Sequence, residues 1–383
     1  LSSETKKQKV LIAPNSFKEC ADSVTIANLF KENLNAIPDT ELIVKPISDG
    51  GDGFIRVCKF YFGGEIIKYE ISTAYNQLLL ECPILYVAET KTIYMETAEI
   101  LGLKVVPNKF RNPLKLSSKG IGELLLKIIN DSKSGRISVD KIYLGVGGTA
   151  TIDMGLGMMS KFGLKLYDDN GCELSVLPEN FNQVIEIKWN KIDLPFDIIP
   201  IADVANQLTG EDGGVMVYGK QKGAIVKDLV DIDSGFSNIV NLLKNKGLVK
   251  SLEFLSGAGG GIPASFQIFF DSYCKSSYEF VLNDLNLDYR FNKFDYLITG
   301  EGAFDRQTLF GKGAGLLMMY YSNKVKRIFL VCGKIDVGIK EFLPQNAVPI
   351  ELLSYFGDKD QSIKNYRFGI KKACGEIGKQ IQF

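Results

Sequence analysis

The sequence predicts an α/β fold: an open parallel sheet built from both ends of the chain, with a second α/β domain inserted between them. Three observations predict it. Short apolar runs recur, each followed by a glycine-bearing polar turn and then a helix-period stretch, the pattern of βαβ units. Residues 64–98 break that rhythm with three β-rich segments joined by short turns. At 383 residues, 45% hydrophobic and 23% charged, the chain has length and apolar content for two or three domains.

Taken in order, KVLIAPNSFKECADS (9–23) opens with a strand that breaks at Pro14 and leaves Asn15, Ser16 and Lys18 at its carboxyl end. A helix follows from Asp22 or Ser23, with Ile26, Leu29, Phe30, Leu34 and Ile37 on one face and Pro38 just beyond. ELIVKPISDGGDGF (41–54) gives the second strand, then Asp49, Gly50, Gly51, Asp52 and Gly53. Residues 64–98 read as a meander, and Ile121, Leu124, Leu125, Ile128 and Ile129 mark a helix face. KIYLGVGGTATIDMGLGMM (141–159) is again strand, glycine turn and helix. Residues 164–174 read as a hairpin turning at Asp169-Asn170-Gly171.

DIIPIAD (197–203) is a strand ending at Asp203, before the long loop ANQLTGEDGGVMVYGKQKGA. LEFLSGAGGGIPASF (252–266) is a strand leading into a glycine loop. In FDYLITGEGAFDRQTLFGKG (294–313) a buried strand runs into Gly300, Glu301 and Gly302, and a helix starts near Asp305. RIFLVCGKI (327–335) and VPIELLSYF (348–356) add two strands, and a terminal helix carries Ile363, Ile370, Ile377 and Ile381. The expected division is a Rossmann-like domain of residues 1–63, 110–150 and 286–383. Residues 64–109 and 151–285 then form the inserted α/β domain with mixed and antiparallel strands.

Composition narrows the function. Lys plus Arg and Asp plus Glu balance at 45 each, which points to neither nucleic acid nor a membrane surface. Residues 1–9 are polar and no apolar run reaches spanning length. Seven dispersed cysteines without a CxxC pair suit reduced thiols in a cytoplasm. Histidine is absent, which excludes a Ser–His–Asp triad, a Cys–His dyad and every His-ligated zinc site. A general base must then be Asp, Glu, Lys, Tyr or Cys, and a metal site suits oxygen-ligated Mg²⁺ better than zinc.

Open α/β sheets bind ligands beyond the carboxyl ends of their strands. The clusters Asn15–Lys18, Asp49–Asp52, Gly147–Asp153 and Glu301–Arg306 all follow such ends, and together they are expected at one sheet edge. Turn chemistry alone favours Gly, Asp and Asn, but it does not call for Lys, Arg and several carboxylates together. Glycine turns and helix N-termini let backbone N–H groups approach an anion. Glu301 and Asp305 are placed to hold a cation, and Arg306 offers a planar fork for phosphate or carboxylate.

Two weaker patterns compete. Gly145, Gly147 and Ala150 fit GxGxxA, as do Gly259, Gly261 and Ala264, which allows a nicotinamide-dependent dehydrogenase of Rossmann type. The acid that should follow the first match falls at Asp168 and Asp169, in hairpin sequence rather than before another crossover. Gly214, Gly219 and Lys220 fit the beginning of a P-loop, but Gln221 replaces the Ser or Thr that binds magnesium. Lys220 and Lys222 remain point charges able to reach phosphate, surface solvation being the commoner fate of such lysines.

Taken together, APNSFKECADS, SDGGDG, LGVGGTATIDMGLGMM, ADVANQLTGEDG with YGKQKGA, and TGEGAFDRQTLFGKG resemble the ordered motifs of the bacterial type-1 glycerate kinase family. The resemblance runs from the first strand to about residue 335. The chain departs from the family form at Asn15 (usually Asp), Ile152 (Asn), Met154 (Gly), Ala205 (Asp), Ala303 (Arg) and Phe310 (His). The resemblance implies ATP-dependent phosphorylation of D-glycerate, with 2-phosphoglycerate favoured over 3-phosphoglycerate, and ATP and Mg²⁺ as cofactors. Asp49 or Asp203 is the expected base. Lys18 and Arg306 are the cationic grip, with Glu301 and Asp305 at the metal. Ser16, Gly50, Gly51, Gly147, Gly148, Thr149, Gly259, Gly260, Lys222 and Gln307 are the expected substrate and phosphate contacts. Expected partners are glycerate and ATP, a homodimer being compatible. A catalytically silent nucleotide- or sugar-acid-binding protein is the third reading, separated from the first by turnover.

Overall fold

The computed structural model describes residues 7–76, 78–202, 206–249, 255–311 and 313–381. Within them the chain forms two compact units, one running to Asp49 and again from Ser277 onward, the other spanning Gly50–Ser276. In chain order the strands of the two large sheets are β1 (Gln8–Ile12), β2 (Thr40–Val44), β3 (Glu65–Ser72), β4 (Leu79–Val87), β5 (Thr92–Glu96) and β6 (Lys141–Val146). They continue with β7 (Asp197–Ala202), β8 (Lys275–Ser276), β9 (Tyr296–Thr299), β10 (Arg327–Cys332) and β11 (Ala347–Glu351). The helices that matter below are α1 (Ser23–Leu34), α2 (Phe54–Phe62), α3 (Lys119–Lys133), α4 (Leu156–Ser160), α5 (Val226–Asn245), α6 (Ile262–Phe270), α7 (Arg306–Gly311), α8 (Gly313–Tyr321) and α9 (Tyr366–Ile381).

The first unit carries a five-stranded sheet in the order β11-β10-β9-β1-β2, every pair parallel. Val10, Leu11 and Ile12 lie opposite Tyr296, Leu297 and Ile298, so the first strand and the strand before Gly300 are neighbours. Parallel strands are covered on both faces, which is why they read as continuous apolar runs rather than alternating ones. Asp22 caps α1 by accepting from the Thr25 N–H at 3.0 Å, as the sequence suggested. The buried face of α1 (Ile26, Phe30, Leu34) shares one core with Ile370, Ile377 and Ile381 of α9. Ile363 lies earlier, in the separate short helix Lys359–Lys364.

The second unit carries a six-stranded sheet in the order β8-β7-β6-β5-β4-β3. Strands β3, β4 and β5 form the antiparallel meander expected of residues 64–98, and β5 through β8 are parallel. This corrects the expected domain boundaries. Residues 110–150 do not join the chain ends. Strand β6 pairs with β5 (Ile142 opposite Ile93) and with β7 (Ile142 opposite Ile198), while the Glu123 carboxylate of α3 accepts from the Ser72 N–H of β3 at 2.8 Å. The polar clusters are therefore divided between two sheets rather than gathered at one edge. Asn15–Lys18, Asp49 and Glu301–Arg306 belong to the first unit; Gly50–Asp52 and Gly147–Asp153 belong to the second.

The strand Lys165–Tyr167 pairs antiparallel with Glu173–Leu174 and with Glu186–Lys188. The hairpin is present, and the strand before Asp168 lies in this separate antiparallel sheet rather than beside β6, so the acid does not end a neighbouring parallel strand as the dinucleotide pattern requires. Asp203 and most of the strand expected at 252–256 lie outside the described residues. No helix among the described residues is long and apolar enough to cross a membrane.

Candidate functional site

In the first unit the turns after β1, β2 and β9 bring Asn15, Asp49 and Glu301 together. Asn15 is buried, and its Nδ2 lies 3.5 Å from both Asp49 Oδ2 and Glu301 Oε2. Its Oδ1 accepts from the Ser16 N–H at 2.8 Å, and its own N–H donates to the Gly300 carbonyl at 2.9 Å, so the amide orientation is fixed. One amide thus spaces two carboxylates, where the family form would place a third acid. Gly313, at the start of α8, packs against this amide: a Cβ there would fall 2.5 Å from Asn15 Nδ2 and 3.7 Å from Glu301 Oε2.

The other Glu301 oxygen accepts from the Thr308 hydroxyl at 2.5 Å. Asp305 Oδ1 accepts from the Thr308 N–H at 2.9 Å, so Asp305 starts α7. The Thr308 hydroxyl also lies 3.3 Å from that oxygen. Burial pushes the Glu301 carboxyl up to about 7; the negative charges of Asp49 and Asp305 push the same way, and Thr308 and Lys18 oppose them. Lys18 and Arg306 are exposed, and Ser16 is half-buried. Gly302 lets the chain approach Lys18, a Cβ there falling 2.9 Å from the Lys18 nitrogen. Gln307 belongs to α7, and its side chain lies outside the described residues.

These groups fit Mg²⁺ in a particular way. Glu301 and Asp305 are hard oxygen donors that repel one another without a cation. Among the described residues no three acidic, cysteine or histidine side chains gather into a metal cage. That donor set suits an ion held by one or two carboxylates with phosphate oxygens completing its shell.

In the second unit the glycines serve packing first. A Cβ on Gly147 would fall 2.7 Å from Gly51 Cα, and one on Gly50 2.7 Å from the Ile201 carbonyl oxygen. A Cβ on Gly260 would fall 2.1 Å from the Thr151 carbonyl oxygen, and one on Gly259 2.2 Å from Val146 Cγ1. Gly50, Gly51 and Gly260 are buried, Gly147 and Gly259 are half-buried, and Gly148 is exposed. Of these glycines, Gly148 is the exposed one, and its backbone is the most open to a ligand.

Two helix N-termini are already occupied. Glu96, 2% exposed, accepts from the Gly53 and Ile55 N–H groups at 2.9 and 3.2 Å, and so covers the start of α2. Asp153, fully buried, accepts from the Gly155 and Gly157 N–H groups of the α4 start and from the Ser118 N–H. Burial pushes both acids up, Glu96 to about 7. Lys104 ties Asp52, Glu99 and Glu96 together at 3.0, 2.6 and 3.9 Å. Sequence reasoning missed Glu96, Thr308 and the bridging role of Asn15. Glu96 ends a strand and Thr308 lies within TGEGAFDRQTLFGKG, so each carried a usable signal.

The chain matches the model of the glycerate kinase family over residues 10–382. It belongs to the glycerate kinase family. Members of that family are phosphotransferases, so the dehydrogenase reading falls away. The glycerate 2-kinase of Escherichia coli is 32% identical over 378 residues, 96% of this chain and 97% of the relative. A glycerate kinase of Neisseria meningitidis serogroup B is 30% identical over 380 residues, 97% and 98% of the two chains. A crystal structure from Salmonella typhimurium superposes with a TM-score of 0.76 at 24% identity, covering 98% of each chain, which is a likeness of fold.

Proposed function

We propose that this chain transfers the γ-phosphoryl group of ATP to a hydroxyl of D-glycerate, in a cytoplasm. The observation that carries the reading is the Asp49–Glu301 pair spaced by the Asn15 amide. Phosphoryl transfer needs positioned charges more than covalent chemistry. On this reading Asp49 accepts the proton of the attacking hydroxyl, with Asp203 as the alternative base. Lys18 and Arg306 receive the substrate carboxylate or the transferred phosphoryl charge. Glu301 and Asp305 hold Mg²⁺, which when bound neutralises phosphate charge. The Gly147–Gly148 backbone contacts phosphate, and the unit built from both chain ends is the Rossmann-like half of a two-domain kinase. The name of the E. coli relative supports 2-phosphoglycerate as the product.

A coupled ADP-release assay across a small panel of hydroxy acids tests this, with phosphorus NMR identifying the product. D-Glycerate should turn over. Asp49→Asn keeps the side-chain shape and removes the charge, so kcat should fall on the order of 10²-fold or more, the scale for losing a general base. Its melting temperature should stay near that of the parent. Near-normal turnover in Asp49→Asn would move the base to Asp203, and no turnover with any hydroxy acid would leave the silent binding protein as the better reading.

A further inference from the structure

Lys222 was expected at the phosphate. It sits in the turn Lys220–Lys222, between two glycines that let the turn sink inward. A Cβ on Gly219 would fall 2.1 Å from Leu229 Cδ2, and one on Gly223, at φ +96°, 2.5 Å from the Arg111 carbonyl oxygen. Lys222 is 5% exposed, and its Nζ donates to Thr149 Oγ1 at 2.9 Å and to the Thr151 carbonyl at 3.0 Å. A Cβ on Gly260 would fall 2.1 Å from that same carbonyl oxygen. Two of the three ammonium protons are thus spent inside the protein, on the segment that follows Gly147 and Gly148.

We propose that Lys222 is a positioning residue: its bonds to the Thr149 hydroxyl and the Thr151 carbonyl fix the 147–151 segment, and its ammonium touches neither nucleotide nor acid substrate. Burial drives the ammonium down to about 7, with the Asp153 charge opposing. A phosphate-gripping lysine would keep its charge toward solvent and ligand; this one is enclosed. The inference rests on the reading of Gly147–Gly148 as phosphate contacts, and its effect on turnover is transmitted through Thr149.

The test combines three substitutions with two readouts. Lys222→Met keeps the apolar stem and removes both donated bonds. Thr149→Val removes the hydroxyl that accepts one of them, and Thr149→Ser retains it. Hydrogen exchange followed by mass spectrometry should show faster exchange in the peptide covering 147–151 for Lys222→Met and Thr149→Val, with Thr149→Ser like the parent. In the ADP-release assay kcat should fall on the order of 10²-fold in both, the usual effect of misplacing a contact by about 1 Å. Affinity for the analogue adenylyl imidodiphosphate should fall only in those variants whose exchange at 147–151 rises, and the double variant should be no worse than Lys222→Met alone.

A loss of analogue affinity beyond about tenfold in Lys222→Met, with exchange at 147–151 unchanged, would overturn the proposal. Multiplying kinetic losses in the double variant would also overturn it. If Lys222→Met does not fold, the Thr149→Val and Thr149→Ser pair decides: unchanged exchange in Thr149→Val refutes the proposal. If the parent shows no turnover, the function reading fails, and the exchange experiment still decides whether Lys222 fixes the segment.

Discussion

Glu96→Gln should flatten the pH dependence of stability between pH 5 and 8. The Glu96 carboxylate covers the first N–H groups of α2 and is 2% exposed. Burial raises its pKa from the ordinary 4.5 to about 7, against the pull of the Gly53 and Ile55 N–H groups and Lys104. A folded-state pKa above the unfolded value means the native protein takes up a proton in that window. The contribution is fully present below pH 4.5 and is lost as pH rises through 7. Each pKa unit is worth about 1.4 kcal/mol, so the parent should lose about 2–3 kcal/mol from this group between pH 5 and 8. Glutamine does not titrate, and that loss should vanish in the variant.

The absolute stability at pH 8 is a poorer test, because two effects oppose there. The variant loses a charged acceptor, worth about 1.5–3 kcal/mol per hydrogen bond, and escapes the cost of a buried charge. The difference in slope is free of this. Glu301 and Lys222 titrate in the same range but are common to both proteins. Urea unfolding at pH 5, 6, 7 and 8 supplies the slopes, and hydrogen exchange at Gly53 and Ile55 reports the α2 start. Parallel stability curves for parent and variant would refute the reasoning.

Two other outcomes follow from the site. Gly260→Ala combines a φ of +76° with a Cβ 2.1 Å from the Thr151 carbonyl oxygen. Left-handed strain of about 1–2 kcal/mol and overpacking of about 1–3 kcal/mol should together lower stability by about 2–5 kcal/mol in a urea melt. A loss below about 0.5 kcal/mol would contradict the packing assigned to that glycine. Turnover should require Mg²⁺ or Mn²⁺ and should not respond to a zinc chelator at low concentration, because the donors are hard oxygens. Full activity in excess EDTA would rule this out.

Short-range features follow directly from the sequence. The Asp22 cap, the start of α7 at Asp305, the meander after residue 64 and the hairpin at 164–174 each depend on residues a few positions apart. A sheet built from both chain ends implies that β1 and β9 share it, and the structure makes them neighbours. Asp49, Glu301 and Asp305 stand out in the sequence because they lie on such turns.

Long-range pairing was not legible. The run at 141–146 is apolar enough for a buried strand in either sheet, and only its ladders with β5 and β7 assign it to the second unit. The same holds for single side chains. Sequence determined that this chain has no histidine, and so which residue types must do the chemistry. It determined too where glycine turns follow strands, because turn and helix chemistry act over a few residues. Tertiary structure alone decided that Asn15 spaces two carboxylates, that Glu96 caps a helix from 40 or so residues away, and that Lys222 is enclosed. A lysine between glycines in a polar loop is written the same way whether it faces solvent or a buried threonine. What separates the two is the packing of distant segments around it, which sets the desolvation of its charge and the partners it finds.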